Sequence, residues 1–203
     1  MAKLSEDQRL ARRLQILNAG WRCFERNGLH ATRMDDIIAE AGLSAGAVYS
    51  YFKNKDDLIQ AALTTSMTEL AERLRPMLEN ANPPLPALLL ADIAAAIEEF
   101  AKRDGFDLKR IALLGWSESQ RDEKLKSIMG AFYTTFLTQL AGCVLRWNKA
   151  GLFEPSADAD HMGRVLLALL LGYVAQAAVV GGIDPKILRQ GVENLVASHR
   201  TPR

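Results

Sequence analysis

An all-α fold follows from three features of the chain. Its 203 residues are rich in alanine and leucine and hold few runs of β-branched residues. Apolar positions recur at helical spacing through most of its length, and glycine and proline punctuate the periodic stretches. With 49% hydrophobic content, the chain can also bury a sizeable core.

The first helix carries Leu10, Leu14, Leu17, Trp21 and Phe24 as its buried stripe and ends at Asn27-Gly28. A second begins near Thr32, where Thr32 and Asp35 make a start like a capping box, with Asp in place of the usual Glu or Gln. Met34, Ile37, Ile38 and Ala41 form its apolar face. Gly42 suits the left-handed conformation that ends a helix, Leu43 packs inward, and Ser44 caps a third helix through Val48, Tyr49 and Phe52. Residues 1–54 are thus a three-helix helix-turn-helix domain. From Lys55, a helix with Leu58, Ala62, Leu63, Met67, Leu70 and Leu74 runs to a break between Asn80 and Pro86 and opens a second helical domain, residues 55–203. Further helices follow at about 86–103, 107–119 and 121–150, after which the chain turns through Gly151 and Pro155. The charge-free stretch from Val165 to Ile183 supplies a last apolar helix.

The third helix is unusual in its first turn, where Ala45, Gly46 and Ala47 leave the backbone almost bare. Such a turn can approach another surface closely. Its unpaired N–H groups suit a phosphate, and alanine methyls can touch thymine methyls in a major groove. Tyr49, Tyr51 and Lys55 offer hydroxyls and an ammonium for flanking phosphates. The local chemistry therefore points to double-stranded DNA, although a turn of this kind by itself also fits a tight corner in a helical core.

These residues resemble those of the TetR-type transcriptional regulators. The resemblance lies in Gly28 with Ala31-Thr32, in the run from Asp36 to Ser44, and in the run from Gly46 to Leu58, which match in order and spacing over about the first sixty residues. It implies that Thr32, Tyr49, Tyr51 and Lys55 contact phosphates while Arg33, Ser44, Ala45 and Ala47 face base edges; Gly46, in the bare first turn, completes the expected DNA-binding set. Three positions depart from the commonest pattern. Ala45 stands where a longer, often basic residue is frequent, Ala47 replaces a threonine, and Tyr51 replaces a histidine. Short side chains at the reading positions leave Arg33 as the main candidate for sequence-specific contact.

One recognition helix makes few base contacts, so selective binding calls for a homodimer reading a near-palindromic operator in major grooves about 34 Å apart. The long helix before residue 150 sets Leu140, Val144 and Trp147 on one face, and the apolar helix after it offers Leu169, Gly172 and Gln176. These six are expected to form the dimer contact as two helices from each subunit. A membrane span is the competing reading of residues 165–183. Against it stand Tyr173 and Gln176 within the run, Gly181-Gly182 at its end, and the small residues Ala168, Gly172 and Ala175 suited to close helix contact.

The C-terminal domain is then the sensor. Phe100, Phe106, Trp116, Met129, Phe132, Tyr133 and Phe136, with nearby Ser117, Thr134, Thr135, Gln139 and Asn148, would line an apolar cavity if they converge; plain core packing is the stronger reading for any one aromatic taken singly. The resemblance implies a small-molecule inducer that changes head spacing and releases a repressor from its operator. The alternative is a DNA-binding regulator without a small-molecule ligand, acting through protein partners.

Net charge is only +1, so whole-chain charge is no argument for DNA. Lys3 and Arg9, Arg12 and Arg13 begin the chain as a polar arm and helix start, where phosphate contact and a solvated face are both open. Cys23 and Cys143 lie far apart, with no disulfide framework or metal motif, and the charged N-terminus lacks an apolar leader, so a reducing cytoplasm is expected. An enzyme finds little support. His30, His161 and His199 are scattered, motifs for metal, nucleotide or phosphate are missing, and Gly115-Trp116-Ser117-Glu118-Ser119 lacks the second glycine of a nucleophile elbow. No cofactor and no metal ligand set is expected. His161 caps or packs at the start of the apolar helix, with a ligand contact as the other possibility.

Overall fold

The computed structural model describes residues 5–103, 105–153 and 156–197. Lys3, Pro155 and His199 lie outside them. The elements are α1 (Glu6–Ala31), α2 (Met34–Ala41), α3 (Ala45–Tyr49), α4 (Lys55–Leu78), α5 (Pro86–Ala101), β1 (Lys102–Arg103), β2 (Phe106–Asp107), α6 (Leu108–Glu118), α7 (Glu123–Lys149), α8 (Ala159–Val179) and α9 (Pro185–Ala197). The all-α expectation holds apart from the two-residue strand pair between α5 and α6. Gly105, at φ 84°, turns that pair in a conformation that only glycine adopts readily. α9 had no place in the sequence reading, although Pro185 opens it and Leu188 and Val192 recur at helical spacing on its packed face.

The helix starts follow local chemistry. Ser5 and Gln8 form a reciprocal capping box at α1, Asp107 accepts from Lys109 N–H at α6, and Asp158 accepts from His161 N–H at α8. α1 is interrupted at Gly28, φ 80°, where the sequence placed its end.

Two compact units divide the chain elsewhere than between residues 54 and 55. The first combines the chain up to Met67 with Arg103–Ile128, and the second combines Thr68–Lys102 with the chain from Met129 onward. The first is built on Ile16, Leu17, Trp21 and Phe24 of α1, Ile37 of α2, Val48 of α3, Leu58 and Ala62 of α4, and Ile111 of α6. Each such large aliphatic or aromatic side chain contributes about 1.5–3 kcal/mol on burial. Gly20 permits α1 to meet α4, since a Cβ there would stand 2.7 Å from Leu58 Cδ2. Leu10, expected in the stripe, is 56% exposed, because the core begins at Ile16, nearly two turns farther on.

The core of the second unit joins Leu74 and Leu78 of α4, Leu89, Leu90 and Ile93 of α5, Leu140, Cys143, Val144 and Trp147 of α7, and Leu166 and Leu170 of α8. Trp147 Nε1 donates to the carbonyls of Pro83 and Pro84, at 3.3 and 3.1 Å, and so fastens the α4–α5 loop. α8 crosses α7 at Gly163, where a Cβ would meet Ala141 N at 3.2 Å. Tyr173 donates to Ile183 O at 3.0 Å, and its hydroxyl is pushed up to about 12 by burial, then by Glu98. Both cysteines are free and buried, and burial raises both thiols.

α7 and α8 are each long and apolar enough to cross a bilayer by composition alone, which is weak evidence, since core helices pass the same test. Here their buried faces, Leu140 to Trp147 and Leu166 to Tyr173, belong to the folded unit.

Candidate nucleic-acid interface

The first unit holds the reading pair, and its turn is set residue by residue. Gly42 takes the left-handed conformation at φ 64° and ends α2, with Leu43 N–H bonded back to Ile38 O. Ser44 Oγ accepts from Ala47 N–H at 3.3 Å and starts α3, while Ser50 Oγ donates to Ala47 O at 2.7 Å. Val48 is fully buried, so α3 is pinned to the core by one side and free on the other. On that free side Arg33, Ser44, Ala45, Gly46 and Tyr49 are exposed, and Ala47 and Tyr51 are partly so. A Cβ built at Gly46 would meet nothing within 4 Å, so the backbone there is open to a close approach.

Two residues expected at phosphates are placed otherwise. Thr32 is 1% exposed, and its hydroxyl donates inward, 2.8 Å from Gly28 O and 3.2 Å from Cys23 O. The Thr32–Asp35 start is replaced by one residue's shift: Arg33 is the N-cap, and its N–H donates to Asp36 Oδ2 at 2.7 Å. Thr32 is held instead by the turn after Gly28. Lys55 Nζ donates to Leu29 O, His30 O and Thr32 O at 2.8, 3.1 and 3.0 Å, which uses all three ammonium protons. It closes the carbonyl end of α1 and fixes the segment that leads to Arg33.

Arg13 is also engaged, with its guanidinium 5.6 Å from the Phe52 ring centre and Nη1 donating to Thr65 Oγ1 at 3.3 Å. Arg22 and Arg26 pair with Glu40 at 2.7 and 3.2 Å, and their hydrogen bonds hold its carboxyl below the usual range. Lys53, not among the residues expected at the site, is exposed and stands directly before the Asn54 cap of α4, where Asp57 N–H donates to Asn54 Oδ1.

α6 is attached to α1 within this unit. Glu25 accepts from Asp107 N–H at 2.9 Å and pairs with Arg110 at 3.1 Å, and His30 pairs with Glu118 at 2.7 Å.

The expected dimer and sensor residues divide differently. Leu140, Val144 and Trp147 are 0–1% exposed inside their own core and have no surface to offer a second subunit, because the hydrophobic stripe of α7 is consumed by α4, α5 and α8. Leu169, Gly172 and Gln176 lie on the partly exposed side of α8. Among the seven aromatic and methionine candidates, Phe132 packs against Tyr133 and Phe136 at 5.4 and 6.1 Å. Phe106 sits in the first core, Trp116 is on α6, and Phe100, Met129 and Phe136 are buried. None of the seven lines the cavity of about 570 Å³ that the second unit does contain, among α5, α7, α8 and α9. Trp147 and Leu169, expected at the dimer contact, line it instead.

Residues 16–62 match the family described as bacterial regulatory proteins, tetR family. Over 199 aligned positions the chain is 25% identical to the HTH-type transcriptional repressor KstR2 of Mycolicibacterium smegmatis, covering 87% of this chain and 97% of that protein. In fold it is similar to the transcriptional regulator FadR from Bacillus subtilis in complex with stearoyl-CoA, with TM-score 0.73, 19% identity, and 90% and 96% of the two chains covered. A transcriptional regulator from Saccharomonospora viridis in complex with choline superposes with TM-score 0.71 at 23% identity, over 94% of this chain and 97% of the other.

Proposed function

We propose that this chain, whose residues 16–62 match the tetR family of bacterial regulatory proteins, is a cytoplasmic repressor that binds near-palindromic operator DNA as a homodimer and is released by a small-molecule inducer. The exposed, short-sided first turn of α3, held rigid by Gly42, Ser44 and buried Val48, carries the DNA part of this reading. Arg33 and the Ser44–Ala47 turn face bases, with Tyr49, Tyr51 and Lys53 toward phosphates. Thr32 and Lys55 act as positioning residues beneath them.

The dimer contact moves from α7 to the outer faces of α8 and α9. Ala168, Gly172, Gln176 and Val179 recur along the outer side of α8, and Ile187 and Leu195 are 61% and 68% exposed on α9. Small residues beside exposed aliphatic ones suit close packing on a second copy of the same chain. The residues of α6 belong to the head by their contacts, so a ligand that displaced α6 would act on the reading pair through α1.

Selection of bound sequences from a random duplex pool tests the proposal. A palindrome with half-sites about one helical turn apart is expected. Recovery of a single half-site, or no enrichment, would refute the dimeric reader.

A further inference from the structure

We propose that the cavity among α5, α7, α8 and α9 is a binding site for an uncharged, largely apolar molecule bearing a hydroxyl. Its regulatory meaning rests on the ligand-responsive reading above, but its occupancy does not. At about 570 Å³ it falls within the range of roughly 300–1,000 Å³ typical of small-molecule sites.

The lining argues for the body of the ligand. Trp147, Leu166 and Ala87 are buried in it at 1–7% exposure. The indole N–H of Trp147 is already spent on the carbonyls of Pro83 and Pro84, and its ring meets Phe153 edge-on at 6.1 Å. What the indole offers a guest is therefore apolar surface. Leu85, Leu152, Val165 and Val196 also line the cavity and are 41–60% exposed, an aliphatic rim drawn from separate segments of the unit. A hydrocarbon chain would cover those side chains and remove them from water.

The head group follows from the two ionisable lining residues, His161 and Glu193. Glu193 Oε1 accepts from Arg189 Nε at 2.7 Å, and a carboxylate retains a second oxygen able to accept from a hydroxyl. Arg189 is not among the lining residues, so a guest carboxylate meets Glu193, whose charge Arg189 offsets only in part. His161 starts α8, its N–H bonded to Asp158 and its imidazole 3.8 Å from that carboxylate, and it is the second ionisable side chain of the lining. An alcohol can donate to the free oxygen of Glu193, and an ionised acid of the same length cannot.

The test uses the full chain with the neutral fluorophore N-phenyl-1-naphthylamine, displaced by decanol or by decanoate at about pH 8, where decanoate is ionised. Decanol is expected to displace it at a lower concentration than decanoate, by a factor of up to about five, the worth of one contacting like charge in water, which Arg189 offsets in part. Glu193→Gln should narrow the ratio. Met162→Phe and Val192→Phe, which fill the cavity from two helices, should each weaken fluorophore binding severalfold at unchanged melting temperature. Equal or better displacement by decanoate, no fluorophore binding, or indifference to both filling variants would overturn the site. So would uptake confined to a monomeric Ala168→Glu variant, because a second copy would then be the occupant. Decanol binding without any change in operator affinity would uphold the site and overturn only the regulatory reading.

Discussion

Replacing Lys55 by Ala is expected to loosen the head without changing the salt dependence of DNA binding. A hydrogen bond from a charged donor contributes about 1.5–3 kcal/mol, so three independent bonds would reach about 4.5–9 kcal/mol. The bond to His30 O is exposed, and water replaces it at little cost; those to Leu29 O and Thr32 O are partly buried. Desolvation of the ammonium offsets part of the remainder, leaving about 2–3 kcal/mol of lost stability. For a chain of this size that lowers the melting temperature by roughly 4–12 °C. Because the ammonium is occupied by backbone carbonyls, its removal should leave the slope of log K against log salt unchanged. Lys53→Ala, at an exposed position, should instead reduce the slope magnitude by about 0.9 with little effect on melting. Operator binding titrated across salt concentrations, with thermal melts of the same samples, decides the matter. A Lys55 variant that melts normally and loses about one unit of slope would refute the internal assignment and restore Lys55 to the phosphates.

Four further outcomes follow from the same geometry. Arg33→Ala should alter preference among operator variants by about 1–3 kcal/mol at one position while sparing random DNA, and equal losses on both would remove it from base reading. Gly46→Ala should hold or raise stability by up to about 1 kcal/mol, since the space is open, yet weaken operator binding by blocking backbone approach; unchanged affinity would show that α3 stays farther from DNA. Glu40, held low by Arg22 and then Arg26, adds stability that is present above its usual value of 4.5 and is lost as pH falls through its lower folded value. Glu40→Gln should therefore be less stable than the parent at neutral pH and converge with it in acid, as read by urea unfolding; a constant difference would contradict the pairing. Paired Ala168→Glu and Val179→Glu changes should yield monomers by light scattering with each unit still folded, and a persistent dimer would place the contact elsewhere.

Much of the head was legible in the residues themselves. Gly42 and Ser44 act within a few bonds of their own backbone, so a left-handed stop and a side-chain cap need no tertiary partner to be recognised. The same holds for Gly28, and for the apolar spacing that made α2 and α4 helices. What the sequence could not decide was which face of an apolar helix meets the chain's own core. Leu140, Val144 and Trp147 carry the periodicity of an interface and are buried by α4, α5 and α8 instead, because hydrophobic burial is non-directional and does not distinguish one's own helices from a partner's. Lys55 and Thr32 look like phosphate ligands until three carbonyls and a turn, 23 to 26 residues away for the lysine, claim their hydrogen bonds. The cavity rim likewise comes from segments as distant as Leu85 and Val196. By itself the sequence determined most of the helices, the stops at Gly28 and Gly42 and the reading turn, since these are local; only the tertiary structure decided which charges were free and which apolar faces were already covered, since both depend on groups brought together from far along the chain.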